Sequence, residues 1–175
     1  MTASSPNVVA QSAFGPIIIN MQDRFVSRSI INGSFWDHEN IVLLARLARA
    51  RLKSKPRLRF HDIGANIGTH SLALARFLGA AVDIRAFEAQ PAIFNMLCGT
   101  LALNNLHNVS VHMNAVADAD GRIIRVALPD YNAPNNFGGL ELIPPVASEI
   151  PTCRCRDDIA RSGPFPSIPS TSPWT

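Results

Sequence analysis

The run "HDIGANIGTH", residues 61–70, decides how this chain is read. Asp62 is followed by Gly64, Asn66 and Gly68 at alternate positions, then by Thr69 and an apolar run at helical spacing. The preceding "LRFHDIG" reads as a strand, so the glycines sit in a strand-to-helix turn. Thr69 is the expected cap of a helix over residues 69–78, with Gly79 just past its end. Gly64 permits the tight turn, and Gly68 lets a ligand approach the backbone.

Working outward, the same pattern repeats. "AVDIRAFEA" is a second strand, and Pro91 occupies a favoured first position of a second helix that stops at Asn104-Asn105. "NVSVHMNAV" is a third strand, and a "DADG" turn leads to a fourth extended run, "RIIRVAL". Parallel strands joined through helices give an α/β fold with a doubly wound sheet. The strands alternate instead of running continuously apolar. Leu58, Phe60, Val82, Ile84, Ala86, Val109, Val111 and Met113 form one set, while Arg59, His61, Asp83, Arg85, Ser110, His112 and Asn114 form the other. The apolar set is expected under the two helices; the polar set either faces solvent or belongs to an ordinary covered sheet with polar strand ends. Strand one then has an unpaired edge, which invites a homodimer through that edge.

Upstream, "GPIIIN" reads as a strand that "FVSRSIING" extends into a hairpin or turn. Asp37 is placed to cap a helix in which Ile41, Leu44, Ala45, Ala48 and Leu52 recur at helical spacing, with Pro56 ending it. Residues 1–15 read as a loose N-terminus. Residues 151–175 carry five prolines and four serines and read as a disordered or extended tail. The domain proper is residues 16–150.

The turn has the chemistry of an anion cradle. First-turn amides of a helix suit a carboxylate or phosphate. Glu88 closes the second strand, 20 residues after Gly68. An acid there accepts hydrogen bonds from both hydroxyls of a ribose. A helix start plus a ribose acid points to an adenosine-containing ligand. A dinucleotide fingerprint reads GxGxxG, whereas this run is DxGxNxG, with Asn66 where a pyrophosphate needs bare backbone. S-adenosylmethionine (SAM) needs less: its carboxylate meets the helix start and its ammonium welcomes Asp62. SAM is therefore preferred over a nicotinamide cofactor. An NAD-dependent oxidoreductase also lacks its catalytic Tyr/Lys or Cys/His set here, since the sole tyrosine, Tyr131, sits in a turn.

Taken in order, "HDIGANIGTHSLALA", "AFEAQPAIFNML" and "LNNLHNVSVHMNAVADADG" resemble the FkbM family of SAM-dependent methyltransferases, as does the lead-in "NGSFWDHENIVLLARL". The resemblance covers roughly residues 16–150. It implies a Rossmann-like class I methyltransferase fold and O-methylation of a hydroxyl on a sugar or secondary metabolite, a small-molecule acceptor. It also implies that Asp62, Gly64, Asn66 and Gly68 line the methionine end of SAM, that Glu88 holds the ribose, and that Asn114, Ala115 and Val116 lie near the adenine. The family pattern continues with a strand ending in an Asp-Val-Glu-Gly-like run that is absent here, and the match fades near "IPTCRCRDDIA". The expectation is a first β-α-β-α-β half plus a following hairpin: a C-terminally truncated methyltransferase, with a non-catalytic fragment as the alternative.

Methyl transfer to an alcohol benefits from a general base. None is assigned. His70, which follows the cradle, is the nearest candidate among five histidines. Trp36 and Phe35 read as a substrate wall or as a hydrophobic staple onto the following helix. "NNFGGLEL", residues 135–142, reads as a flexible glycine loop, either bordering the acceptor pocket or serving as a plain hairpin connection.

Composition narrows the rest. Hydrophobic residues make up 47% and charged residues 17% of the 175, a globular balance. Seven of the sixteen basic residues fall between Arg46 and Arg59, but no aromatics interleave with them as a nucleic-acid platform would need. Cys98, Cys153 and Cys155 form no zinc-spaced cluster, so no metal is expected. No signal peptide or membrane span is legible, and the expected location is cytoplasmic.

Overall fold

The computed structural model describes residues 5–117, 123–125, 128–139 and 152–154. Its centre is a three-stranded parallel sheet of β3 (Leu58–Ile63), β4 (Val82–Phe87) and β5 (Val109–His112), in the order β3-β4-β5. Leu58 pairs with Val82 at one end of the β3–β4 register and Ile63 with Phe87 at the other. Helix α3 (Thr69–Leu78) connects β3 to β4, and α4 (Pro91–Leu103) connects β4 to β5. This is the α/β architecture read from the strand–helix repeat.

Alternation in the strands decides which face is covered. Phe60, Val82, Ile84 and Val109 pack with Leu74 and Ala75 of α3 and with Ala45 of α2 (His38–Leu52). Ala86 and Val111 pack with Leu97 and Leu101 of α4. The polar face is half-buried, closer to a covered sheet with polar strand ends than to a face open to solvent. Arg59 and Asp83 form an ion pair at 3.4 Å, with side chains 15% and 26% exposed. At its ligand-side end Phe87 is fully buried, stacked on the His112 ring at 4.9 Å. Burial and the neighbouring Arg85 and Arg59 hold the His61 imidazole below its ordinary pKa.

The N-terminal segments depart from the sequence reading. Asn7–Ser12 is not loose: it forms β1, antiparallel to β2 (Gly15–Asn20). The Ser12 hydroxyl stabilises the turn, donating to the Gly15 carbonyl and accepting from the Phe14 amide. The hairpin docks on α4. The Thr100 hydroxyl accepts from the Ile18 amide at 3.0 Å, and the Asn104 side chain donates to the Pro16 carbonyl at 2.6 Å. "FVSRSIING" is not a strand extension but α1 (Val26–Ile31), because Asp23 takes the Ser27 amide at 2.6 Å while Val26 and Ile30 turn into the core. Helix α2 starts at His38 but ends at Leu52, before Pro56 can act.

Two short strands lie apart from the parallel sheet: β6 (Ile123–Arg125) pairs antiparallel with β7 (Thr152–Arg154). The fourth extended run is thus present, but its partner is far along the chain and falls within the segment read as a tail. The remainder of that tail, Cys155 included, lies outside the described residues. Among the described residues no helix is long and apolar enough to cross a membrane.

Candidate cofactor site

The turn after β3 is held by the neighbouring strand. The Gly64 and Ala65 amides both donate to the Phe87 carbonyl at 2.9 Å. Gly64 (φ +73°), Asn66 (φ +52°) and Gly68 (φ +93°) all take the left-handed conformation, so the alternate spacing in the sequence is one of backbone demand. Asn tolerates that conformation because its short amide can bond locally. Here the Asn66 side chain accepts from the Ile67 amide at 2.7 Å.

Glu88 lies immediately past β4. Its carboxylate is 5% exposed and accepts from the Asn66 amide at 2.9 Å and the Gln90 amide at 2.8 Å. Burial raises its pKa, against the pull of these amides. The acid therefore ties the end of β4 to the turn after β3, two carbonyl-rich strand ends that nothing in the sequence spacing alone would join.

Two cavities open at this junction. The first, of 200 Å³, is lined by Gly64, Asn66, Phe87, Glu88, Gln90, Asn114, Ala115, Val116 and Gly138 among others. The second, of 220 Å³, is lined by Phe25, Trp36, Gly64, Asn66, Thr69, His70, Asn136 and Gly138 among others. They share Gly64, Asn66 and Gly138. The first is a slot with an acid on one wall and apolar side chains on another. The second opens on Thr69 and His70, the first two residues of α3, whose amides precede any intrahelical acceptor.

Of the residues singled out from the sequence, Gly64, Asn66, Glu88, Asn114, Ala115 and Val116 come together around the first cavity, and His70 borders the second. Asp62 and Gly68 border neither. Asp62 is buried beneath α3, where its carboxylate accepts from the Ser71 hydroxyl at 2.6 Å and desolvation raises its pKa. Gly68 has a packing role: a Cβ there would lie 2.7 Å from Leu97 Cδ1. It also replaces Thr69 as the N-cap of α3. Phe35 and Trp36 divide the roles foreseen for them. Phe35 is buried with Ile41 and Ala73, whereas Trp36 is exposed at the second cavity.

Within the segment 128–139, Asn136 and Gly138 line the cavities, as the reading of 135–142 as a loop at the acceptor pocket expects. The segment's Phe137 is 1% exposed in the core with Ile17, Ile67 and Met96, so the described part of "NNFGGLEL" is anchored and not a free loop. Gln90 fixes it, donating to the Phe137 carbonyl at 2.7 Å and accepting from the Tyr131 hydroxyl at 2.9 Å. Burial and the charge of Glu88 push the Tyr131 hydroxyl up to about 12. Asn135 exchanges backbone bonds with Gln22 and Arg24. The signal that marks this segment is its apolar Phe137 between amides and glycines, which reads locally as a turn.

No protein-family model and no curated protein matches the chain. Among solved structures, it is similar to Pyrococcus horikoshii TYW2 in complex with MeSAdo, at 21% identity over 67% of this chain and 39% of that one, with a TM-score of 0.49. M. jannaschii TYW2 in complex with AdoMet aligns at 19% identity over 69% of this chain and 48% of that one, with a TM-score of 0.45. The N-terminal domain of EvdMO1 with SAH bound aligns at 26% identity over 43% of this chain and 32% of that one, with a TM-score of 0.35. The chain thus spans less than half the length of each. Likeness at this level identifies neither a family nor an activity, and the functional reading rests on the site.

Proposed function

We propose that this chain binds S-adenosylmethionine and is a methyltransferase of FkbM type, acting on a hydroxyl of a sugar or secondary metabolite. The observation that carries the reading is the buried Glu88 on the wall of a cavity that shares Gly64, Asn66 and Gly138 with a second cavity at the start of α3. The residues fit the group. Glu88 keeps acceptor capacity for a ribose hydroxyl, since a carboxylate offers about four lone-pair sites and the backbone amides of Asn66, Ala89 and Gln90 take only part of them. Phe87, Ala115 and Val116 give an adenine ring apolar contact. The opening turn of α3 faces the methionine end. The resemblance of the sequence motifs to FkbM enzymes and the SAM analogues named for the TYW2 and EvdMO1 structures point the same way.

When bound, the group supplies an electrophilic sulfonium methyl. The chain's own work is positioning: Glu88 fixes the nucleoside, the α3 start fixes the carboxylate, and the second cavity holds an acceptor against them. Such alignment is worth up to about 7–11 kcal/mol of barrier. A nicotinamide reading is disfavoured by Asn66, which stands where a dinucleotide fingerprint has its middle glycine.

Calorimetry with S-adenosylhomocysteine (SAH) and with NAD on the purified chain tests the reading. SAH binding that Glu88→Ala weakens at least about tenfold, or 1.4 kcal/mol, supports it. Ionised Glu88 is the stronger acceptor, so affinity falls as pH drops through its pKa, which burial raises above the ordinary glutamate value. Binding of NAD in place of SAH refutes the reading.

A further inference from the structure

The sequence places Asp37 as the side-chain cap of α2. The structure gives it another task. Asp37 sits at the start of α2 in the left-handed conformation, φ +59°, and makes no capping bond from its side chain. One carboxylate oxygen instead lies 3.0 Å from His70 Nε2, and the other accepts from the Asn40 amide at 2.6 Å. The pair joins residues 33 positions apart, on two different helices. A non-glycine residue held at positive φ is a strained position, and strain of this kind collects at functional sites.

We propose that His70 accepts the proton of the acceptor hydroxyl and that Asp37 is its positioning residue. This rests on the SAM reading above. An ionised carboxylate can only accept a hydrogen bond, so Asp37 selects the tautomer with hydrogen on Nε2 and the lone pair on Nδ1. His70 borders the second cavity beside Thr69 and Asn66, where the methionine end of the cofactor is assigned. Trp36 and Phe25, both exposed, wall the same cavity and suit the face of a ring. The acceptor class is therefore a ring-bearing alcohol or phenol. In the transfer, an oxygen lone pair forms the new C–O bond. The C–S bond breaks with its electron pair moving to sulfur, which leaves neutral SAH. The hydroxyl proton goes to Nδ1, and Asp37 pairs with the resulting imidazolium.

The test needs no identified acceptor. Imidazole ¹⁵N spectra of the full chain are recorded with and without saturating SAH, the His70 signals being those lost in His70→Asn. The expected result has three parts. Wild-type His70 shows a lone pair on Nδ1 and shifts on SAH addition. Asp37→Asn mixes the two tautomers. SAH affinity in both variants stays within about threefold of wild type, or 0.7 kcal/mol. A protonated Nδ1, a His70 signal that saturating SAH leaves unmoved, or a tenfold loss of SAH affinity in His70→Asn overturns the proposal. Absence of SAH binding to the wild type overturns the SAM reading itself, a failure that calorimetry separates from a wrong tautomer.

Discussion

The cavity beside Glu88 and the cavity beside His70 share Gly64, Asn66 and Gly138, yet different kinds of chain build their remaining walls. The first is made from the ends of β3, β4 and β5, three elements of one repeating unit. Its residues recur at the spacing that unit imposes. The second takes Phe25 from just before α1, Trp36 from just before α2 and Asn136 from the segment after β5. None of these lies in a repeating pattern with the others. A cofactor-type slot in this architecture is thus local in topology, whereas the adjoining cavity depends on how distant segments fold over it.

The sharpest way to break the comparison is at Phe137, which anchors the segment that both cavities borrow through Gly138. If that segment is integral to the core, Phe137→Ala costs about 3–5 kcal/mol, as large buried aromatics do. Urea unfolding followed by circular dichroism reads the change. A cost within about 0.5 kcal/mol, as at an ordinary surface position, would show that the segment is only a cover.

The glycines of the turn offer the next contrast. Gly68→Ala combines left-handed strain with a Cβ 2.7 Å from Leu97 Cδ1, so it should cost about 2–4 kcal/mol. Gly64→Ala carries the strain alone, with open space around the new Cβ, and should cost about 1–2 kcal/mol. Their effects on SAH binding should run in the opposite order, because Gly64 lines both cavities and Gly68 lines neither. Paired unfolding and calorimetry on the two variants checks both halves. Equal losses of affinity would place Gly68 at the ligand after all.

These contrasts explain what the sequence could disclose. Helices α3 and α4 were legible to the residue, because Gly79 and Pro91 punctuate an apolar run of 3.6 period. The strand ends were legible for the same reason, and with them Glu88 and the turn glycines. The spacing of Gly68 is legible, but its packing role is not. A positive φ and a facing Leu97 are properties of the packed state that a list of residue types does not contain. Helix α1 was missed because Val26, Ile30 and Ile31 suit a strand as well as a helix, and the deciding contact is the buried Asp23 carboxylate on the Ser27 amide. Asp37 was missed in a related way. Its position before α2 fits a cap, and only the approach of α3 brings His70 within reach.

The smallest expected effect isolates the second cavity from the first. Trp36 is 38% exposed and its neighbour Phe35 carries the packing onto Ile41 and Ala73. Trp36→Ala should therefore change stability by no more than about 0.5 kcal/mol. SAH affinity should stay within about threefold, or 0.7 kcal/mol, since Trp36 is absent from the cavity beside Glu88 that takes the nucleoside and borders only the one that the methionine end reaches. What it removes is the ring face on which a cyclic acceptor would rest. Methyl transfer from radiolabelled SAM to a panel of sugars and phenols should fall through KM, with kcat largely kept, because truncating Trp36 leaves the Asp37–His70 pair and the α3 start in place. A matching loss of SAH affinity would mean that the two cavities hold a single ligand, and that the division between cofactor slot and acceptor pocket is drawn in the wrong place.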